Sequence, residues 1–105
     1  MDEIMQGTTP SLILEVDPDD LWVTSATRIE VYLTNGGRTE TYTEADLVLD
    51  AEENTVTKHF SVEETSAFSR KSPVVVQARF WMPNGQVVGT YKASFDVADM
   101  LTVGD

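Results

Sequence analysis

Residues 74–97 read VVVQARFWMPNGQVVGTYKASFDV, two strands closed by a tight turn, and their pattern decides the fold class. Successive side chains of a strand point to opposite faces, so a half-buried strand alternates in polarity with period two. Val74, Val76, Ala78, Phe80 and Met82 make one side of the first strand, with Val75, Gln77, Arg79 and Trp81 on the other. The returning strand sets Val87, Gly89, Tyr91, Ala93, Phe95 and Val97 against Val88, Thr90, Lys92, Ser94 and Asp96. Opposed residues of an antiparallel pair share a face, which makes the register testable. A two-residue Asn84-Gly85 turn opposes Phe80 to Gly89, Ala78 to Tyr91, Val76 to Ala93 and Val74 to Phe95, and every pair is apolar. Pro83-Asn84-Gly85 also suits a three-residue loop with Gly85 in the left-handed region, which shifts the pairing by one residue and turns Val88, Thr90, Lys92 and Ser94 to the core. The apolar matching favours the two-residue turn, and that register is expected.

Outward from this hairpin, the chain divides into short strands separated by turn residues. Residues 1–10 read as a loosely held arm. Leu12 to Val16 alternates as a strand and is broken by Asp17-Pro18-Asp19-Asp20, where Pro18 and its acidic neighbours favour a turn. Leu21, Trp22 and Val23 make an apolar patch. Thr27 to Thr34 is a strand with Ile29, Val31 and Leu33 inward and Arg28, Glu30, Tyr32 and Thr34 outward, ended by the hairpin signal Asn35-Gly36-Gly37. Arg38 to Thr43 is polar on both faces and therefore reads as an edge strand. Leu47 to Leu49 and Thr55 to Phe60 follow as strands. In the latter Val56 and Phe60 point inward, and Lys58 between them must snorkel at the margin. Ser61-Val62-Glu63-Glu64 matches a capping box, and Val62, Thr65 and Phe68 are spaced for one face of a helix of about two turns. Residues 98–105 read as a tail. About seven strands and one short helix describe an all-β, immunoglobulin-like antiparallel sandwich, a single domain over residues 1–105.

Composition narrows the function classes. The 105 residues are enough for one core without metal or disulfide support. The absence of cysteine removes disulfide frameworks and thiolate metal sites and suits a reducing cytosol. No signal peptide or long apolar run is evident, so a cytoplasmic protein without a membrane span is expected. Eighteen acids against seven bases give a formal charge of −11, which repels phosphate backbones and anionic lipid. Neither nucleic acid nor membrane is therefore an expected partner.

The inventory of catalytic groups is sparse. His59 is the single histidine and points outward in its strand, and without a second His or any Cys it anchors neither a typical zinc site nor a Ser-His-Asp triad. The acidic turn at Asp17 fails the EF-hand template, with Trp22 where glycine is needed and Arg28 where glutamate is needed. A looser calcium loop with Glu52 and Glu53 is the surviving metal reading. No catalytic residue, metal ligand or cofactor is assigned.

Trp and Tyr are favoured as anchors between proteins, and exposed aromatic faces also stack on sugars. Tyr32, Tyr42, Arg79, Trp81 and Trp22 are the candidate binding residues, with Tyr32, Tyr42 and Trp81 taken as outward. The edge strand Arg38 to Thr43 is the candidate acceptor for a partner strand.

Several phrases resemble a family of small proteins encoded in phages and prophages of Gram-positive bacteria. They are Gln6-Gly7-Thr8-Thr9-Pro10, Asp46 to Asp50 followed by Asn54-Thr55-Val56, Ser61 to Phe68, the Pro83-Asn84-Gly85 turn and Phe95-Asp96-Val97. Lys58 stands where the family pattern has an apolar residue. The resemblance implies a non-enzymatic structural or accessory component of the virion or tail region, virion-associated after cytoplasmic synthesis. Its implied partners are other phage structural proteins or further copies of itself. A carbohydrate-binding module of a receptor-binding apparatus, with Trp81 and Trp22 as platforms, is the alternative.

Overall fold

A computed structural model of the protein describes residues 3–19, 21–90 and 92–98. Within them the chain forms β1 (Glu3–Met5), β2 (Ser11–Glu15), β3 (Arg28–Asn35), β4 (Arg38–Thr43), β5 (Val48–Asp50), β6 (Thr55–His59), α1 (Val62–Ser66), β7 (Val74–Trp81), β8 (Val87–Gly89) and β9 (Ala93–Ala98). One sheet runs β1-β9-β7-β3-β4, with β8 also on β7, and the other runs β2-β6-β5. Consecutive hairpins, β3–β4, β5–β6 and β7–β8, alternate with pairs between strands distant in sequence, β3–β7, β2–β6 and β1–β9, as in an immunoglobulin-like sandwich.

Period-two alternation fixes the core. Ile29, Val31 and Leu33 of β3 lie beside Phe80, Ala78 and Val76 of β7, and all six are buried. Val56, Leu12 and Phe60 close the core from the smaller sheet, with Phe68 after α1 packed edge-on against Phe60 at 5.7 Å. Ser61 caps α1 as expected: its hydroxyl accepts from Glu64 N–H, and the Glu64 carboxylate accepts from Ser61 N–H. The helix is a single turn, however, and Val62 is half exposed, so only Thr65 and Phe68 face the core.

The hairpin combines both candidate registers. Met82 N–H donates to Gln86 O at 2.8 Å and Gly85 has φ +87°, so Pro83-Asn84-Gly85 is a three-residue loop and the expected two-residue turn is corrected. Next to the loop, Phe80 faces Val88 and Arg79 faces Gly89. Farther on, Val76 faces Ala93 and Val74 faces Phe95, as the apolar matching required. Between Gly89 and Ala93 the returning strand therefore carries one extra residue, a β-bulge. Thr90 bridges it: its N–H donates to Ala78 O and its hydroxyl accepts from Ala78 N–H, both at 2.9 Å. The expected Ala78–Tyr91 pair lies outside the described residues.

Residues 3–10 are held against the rest of the domain, which corrects the loose arm expected there. β1 pairs parallel with β9, and Ile4 is buried. Gln6 Nε2 donates to Phe68 O at 2.7 Å, and the buried Thr65 hydroxyl donates to Thr8 O at 2.8 Å. A three-residue strand is too short for alternation to announce it. Of the expected tail, Ala98 belongs to β9, and the rest lies outside the described residues.

Candidate functional site: the outer face of the larger sheet

Antiparallel register places Arg28 opposite Trp81, Glu30 opposite Arg79 and Tyr32 opposite Gln77. Their neighbours Ile29, Val31, Ala78 and Phe80 point into the core, so alternation turns these six side chains outward. They form an ordered row. The Arg28 guanidinium lies 4.7 Å from the centroid of the Trp81 ring, and Arg79 lies 5.5 Å from Tyr32 and 5.7 Å from Trp81. Each cation sits over an aromatic face, where the ring quadrupole attracts it. Glu30 ties the row together, accepting from Arg28 Nη2 and from the Tyr32 hydroxyl, both at 2.5 Å.

The electrostatics follow from these bonds. Hydrogen bonds from Tyr32 and then Arg28 hold the Glu30 carboxyl below its ordinary value of 4.5. Donation to Glu30, with some burial, raises the Tyr32 phenol. The Arg28 guanidinium is held charged by its hydrogen bond to Glu30. On an acidic protein this face concentrates two guanidinium groups between planar rings, with rotamers already fixed by their neighbours.

Tyr32, Arg79 and Trp81 are thus brought together, but Tyr42 and Trp22 are not part of the set. Tyr42 faces Val31 and so points to the core side, which corrects its outward assignment. It packs edge-on against Phe60 at 6.4 Å and donates to Glu64 at 3.3 Å, and burial is the main cause that raises its phenol. Lys58 covers this ring at 4.6 Å and pairs with Glu64 at 3.2 Å, which is how its charge is accommodated between Val56 and Phe60. The Asn35-Gly36-Gly37-Arg38 turn carried the missed signal, because a two-residue loop pairs Asn35 with Arg38 and hence Tyr42 with Val31. Trp22 is 47% exposed in the loop after β2 and lines a shallow depression with Pro18, Met82 and Pro83. Arg28 and Glu30 were missed as site residues because only the β3–β7 register, invisible in either strand alone, sets them beside Trp81.

The other chemistry considered for this chain finds its place as well. His59 is exposed, with Nδ1 2.7 Å from Ser11 Oγ. Asp17 accepts from Asp19 N–H at 2.9 Å, and Asp50 accepts from the N–H groups of Glu52 and Glu53 at 2.9 and 3.0 Å, so these carboxylates stabilise their own turns. Among the described residues no group of three or more His, Asp or Glu is arranged to hold a metal ion; Asp20 lies outside them. No helix among those residues is long and apolar enough to cross a membrane. Comparison with protein-family models and with curated proteins finds no match to the chain.

The Lys58–Glu64 pair predicts acid sensitivity. Burial pushes the Glu64 carboxyl up, but its hydrogen bonds with Ser61 and Lys58 outweigh burial and hold it below 4.5. A carboxyl depressed by folding adds stability above its unfolded value and loses it as pH falls through the folded one. Glu64→Gln, which preserves the capping geometry, is expected to flatten the decline of stability between about pH 5 and about pH 3. Urea titrations across that range check it, and an unchanged pH slope would count against this pair.

Proposed function

We propose that this immunoglobulin-like domain is a non-enzymatic structural or accessory protein of a phage or prophage, acting by protein–protein contact in virion or tail assembly. The observation that carries the contact role is the ordered row of Arg28, Trp81, Arg79 and Tyr32 on an outward sheet face. Trp, Tyr and Arg are the residues that dominate binding energy at interfaces, and these are already held in place before a partner arrives. The phage setting rests on the resemblance of the Gln6–Pro10, Ser61–Phe68 and neighbouring phrases. The edge strand β4 borders the same face and extends the surface open to a partner.

Light scattering over a wide concentration range, with the products of neighbouring genes added, tests the proposal. A complex is expected, and Arg79→Ala or Trp81→Ala should weaken it by about tenfold to a hundredfold each. A monomer under every condition would remove the assembly role.

The carbohydrate reading rests on the exposed Trp22 and its depression, since Arg28 already covers the Trp81 ring. A glycan array with Trp22→Ala as control separates the two, and absence of sugar binding would sink the second.

A further inference from the structure

The smaller sheet ends in β2, where Glu15 at one end of the strand is the one charged side chain that guards the edge. Pro10 O accepts from Phe60 N–H and Val16 N–H donates to Asn54 O, at 3.0 and 3.1 Å. Hydrogen-bonded pairs alternate along an antiparallel ladder, so the even positions of β2 face β6. The N–H and C=O groups of Ser11, Ile13 and Glu15 therefore point away from it, and among the described residues nothing pairs with them. The sequence Ser-Leu-Ile-Leu-Glu contains no lysine, proline or glycine, and Ile13 is 57% exposed. An apolar edge of this kind is a template for another strand.

Two cavities run along the same edge, between β2 and the larger sheet. The first, of about 380 Å³, lies among Ile4, Leu12, Phe60 and Phe95. The second, of about 300 Å³, lies among Leu14, Val16, Leu21, Phe80 and Val88. Side chains two residues apart on an added strand would point inward at the level of Leu12 and Leu14, one toward each cavity. The rim is acidic, with Glu3 beside the first cavity and Glu15 and Asp17 beside the second, and no Lys or Arg lines either.

We propose that the slot between β2 on one side and β1 and β8 on the other accepts one extended segment of a partner chain. That segment would carry aliphatic side chains at alternate positions and basic residues at its ends. It pairs with the free groups of Ser11, Ile13 and Glu15, seats its aliphatic side chains in the two cavities and meets Glu3, Glu15 and Asp17 with its charges. A single strand fits where a second domain does not, because Glu3 and Ile4 of β1 line the first cavity opposite Ser11 and Leu12 and so bound the slot. A second copy would also bring another formal charge of −11 to an acidic rim. The slot is separate from the Tyr32–Trp81 face and does not depend on it.

The test uses the full chain and a short peptide alternating valine and threonine between terminal lysines. Binding by fluorescence anisotropy is expected, together with slowed amide hydrogen exchange at Ser11, Ile13 and Glu15. Methylating alternate peptide nitrogens removes the donors and should weaken binding about tenfold or more. Glu3→Lys combined with Glu15→Lys, both at exposed positions, should weaken the basic peptide and admit one ended by glutamates. The proposal is overturned by absence of binding or by protection gained at Arg38–Thr43 instead. Protection that rises with protein concentration and no peptide would assign the slot to a second copy and equally overturn it.

Discussion

Asn54→Ala is expected to destabilise the fold by about 3–5 kcal/mol, more than a small polar-to-apolar change at a turn would ordinarily cost. Asn54 is 1% exposed and has φ +53°. Its Oδ1 accepts from Val23 N–H at 2.8 Å, and its Nδ2 donates to Val16 O at 2.9 Å and Leu21 O at 2.8 Å. One side chain thus satisfies three backbone groups of the segment that leaves β2 and enters the core at Val23. Alanine would leave the partners unpaired at little or no access to water, and it disfavours the left-handed backbone. Asn54→Gly removes the same bonds without the backbone penalty, so it should recover roughly 1 kcal/mol relative to alanine. Denaturant melts of the two variants check both statements. A loss under about 1 kcal/mol for alanine would mean that water replaces the amide freely.

Phe80→Ala should cost about 3–5 kcal/mol and lower the melting midpoint by roughly 20 °C. Phe80 is fully buried, paired with Ile29 on one side and Val88 on the other, and it touches the cavity beside β2. Its removal joins a new void to that cavity, and the flanking strands are held by their ladders and cannot collapse into it. Calorimetry reads the shift, and Phe80→Leu should recover much of the loss because it refills most of the volume. A small change for alanine would show that water already enters the space from the cavity.

The sandwich was legible because its long strands alternate cleanly. Ile29, Val31 and Leu33, and Val74, Val76, Ala78 and Phe80, are all buried as their period predicted. The Ser61–Glu64 cap was legible for another reason: capping is local, and its four residues carry the whole signal. The site was half legible. Arg79, Trp81 and Tyr32 could be placed outward from their own strands, whereas Arg28 and Glu30 join them only through pairing between β3 and β7. Tyr42 lies on the core side because the two-residue Gly36-Gly37 loop pairs Asn35 with Arg38 and so sets Tyr42 opposite the buried Val31, a register that the polar residues around it in Arg38 to Thr43 do not reveal. Ile4 and Asn54 carried no readable signal, since one lies in a strand of three residues and the other acts through partners 31 to 38 positions away.

The loop at Pro83-Asn84-Gly85 and the bulge after Gly89 have a joint consequence for how this chain can change length. The loop displaces the returning strand by one position, and the bulge puts it back before Ala93 meets Val76. Losing one residue from the loop alone shortens the turn and leaves Phe80 opposite Val88, and losing the extra residue between Gly89 and Ala93 alone leaves Val76 opposite Ala93, so neither change turns a side chain to the other face. A deletion within Val87–Gly89 instead turns the residues between it and the nearest irregularity to the opposite face. The hairpin can therefore change length only at its two irregular points, and relatives of this chain should differ in length there and nowhere else along the ladder.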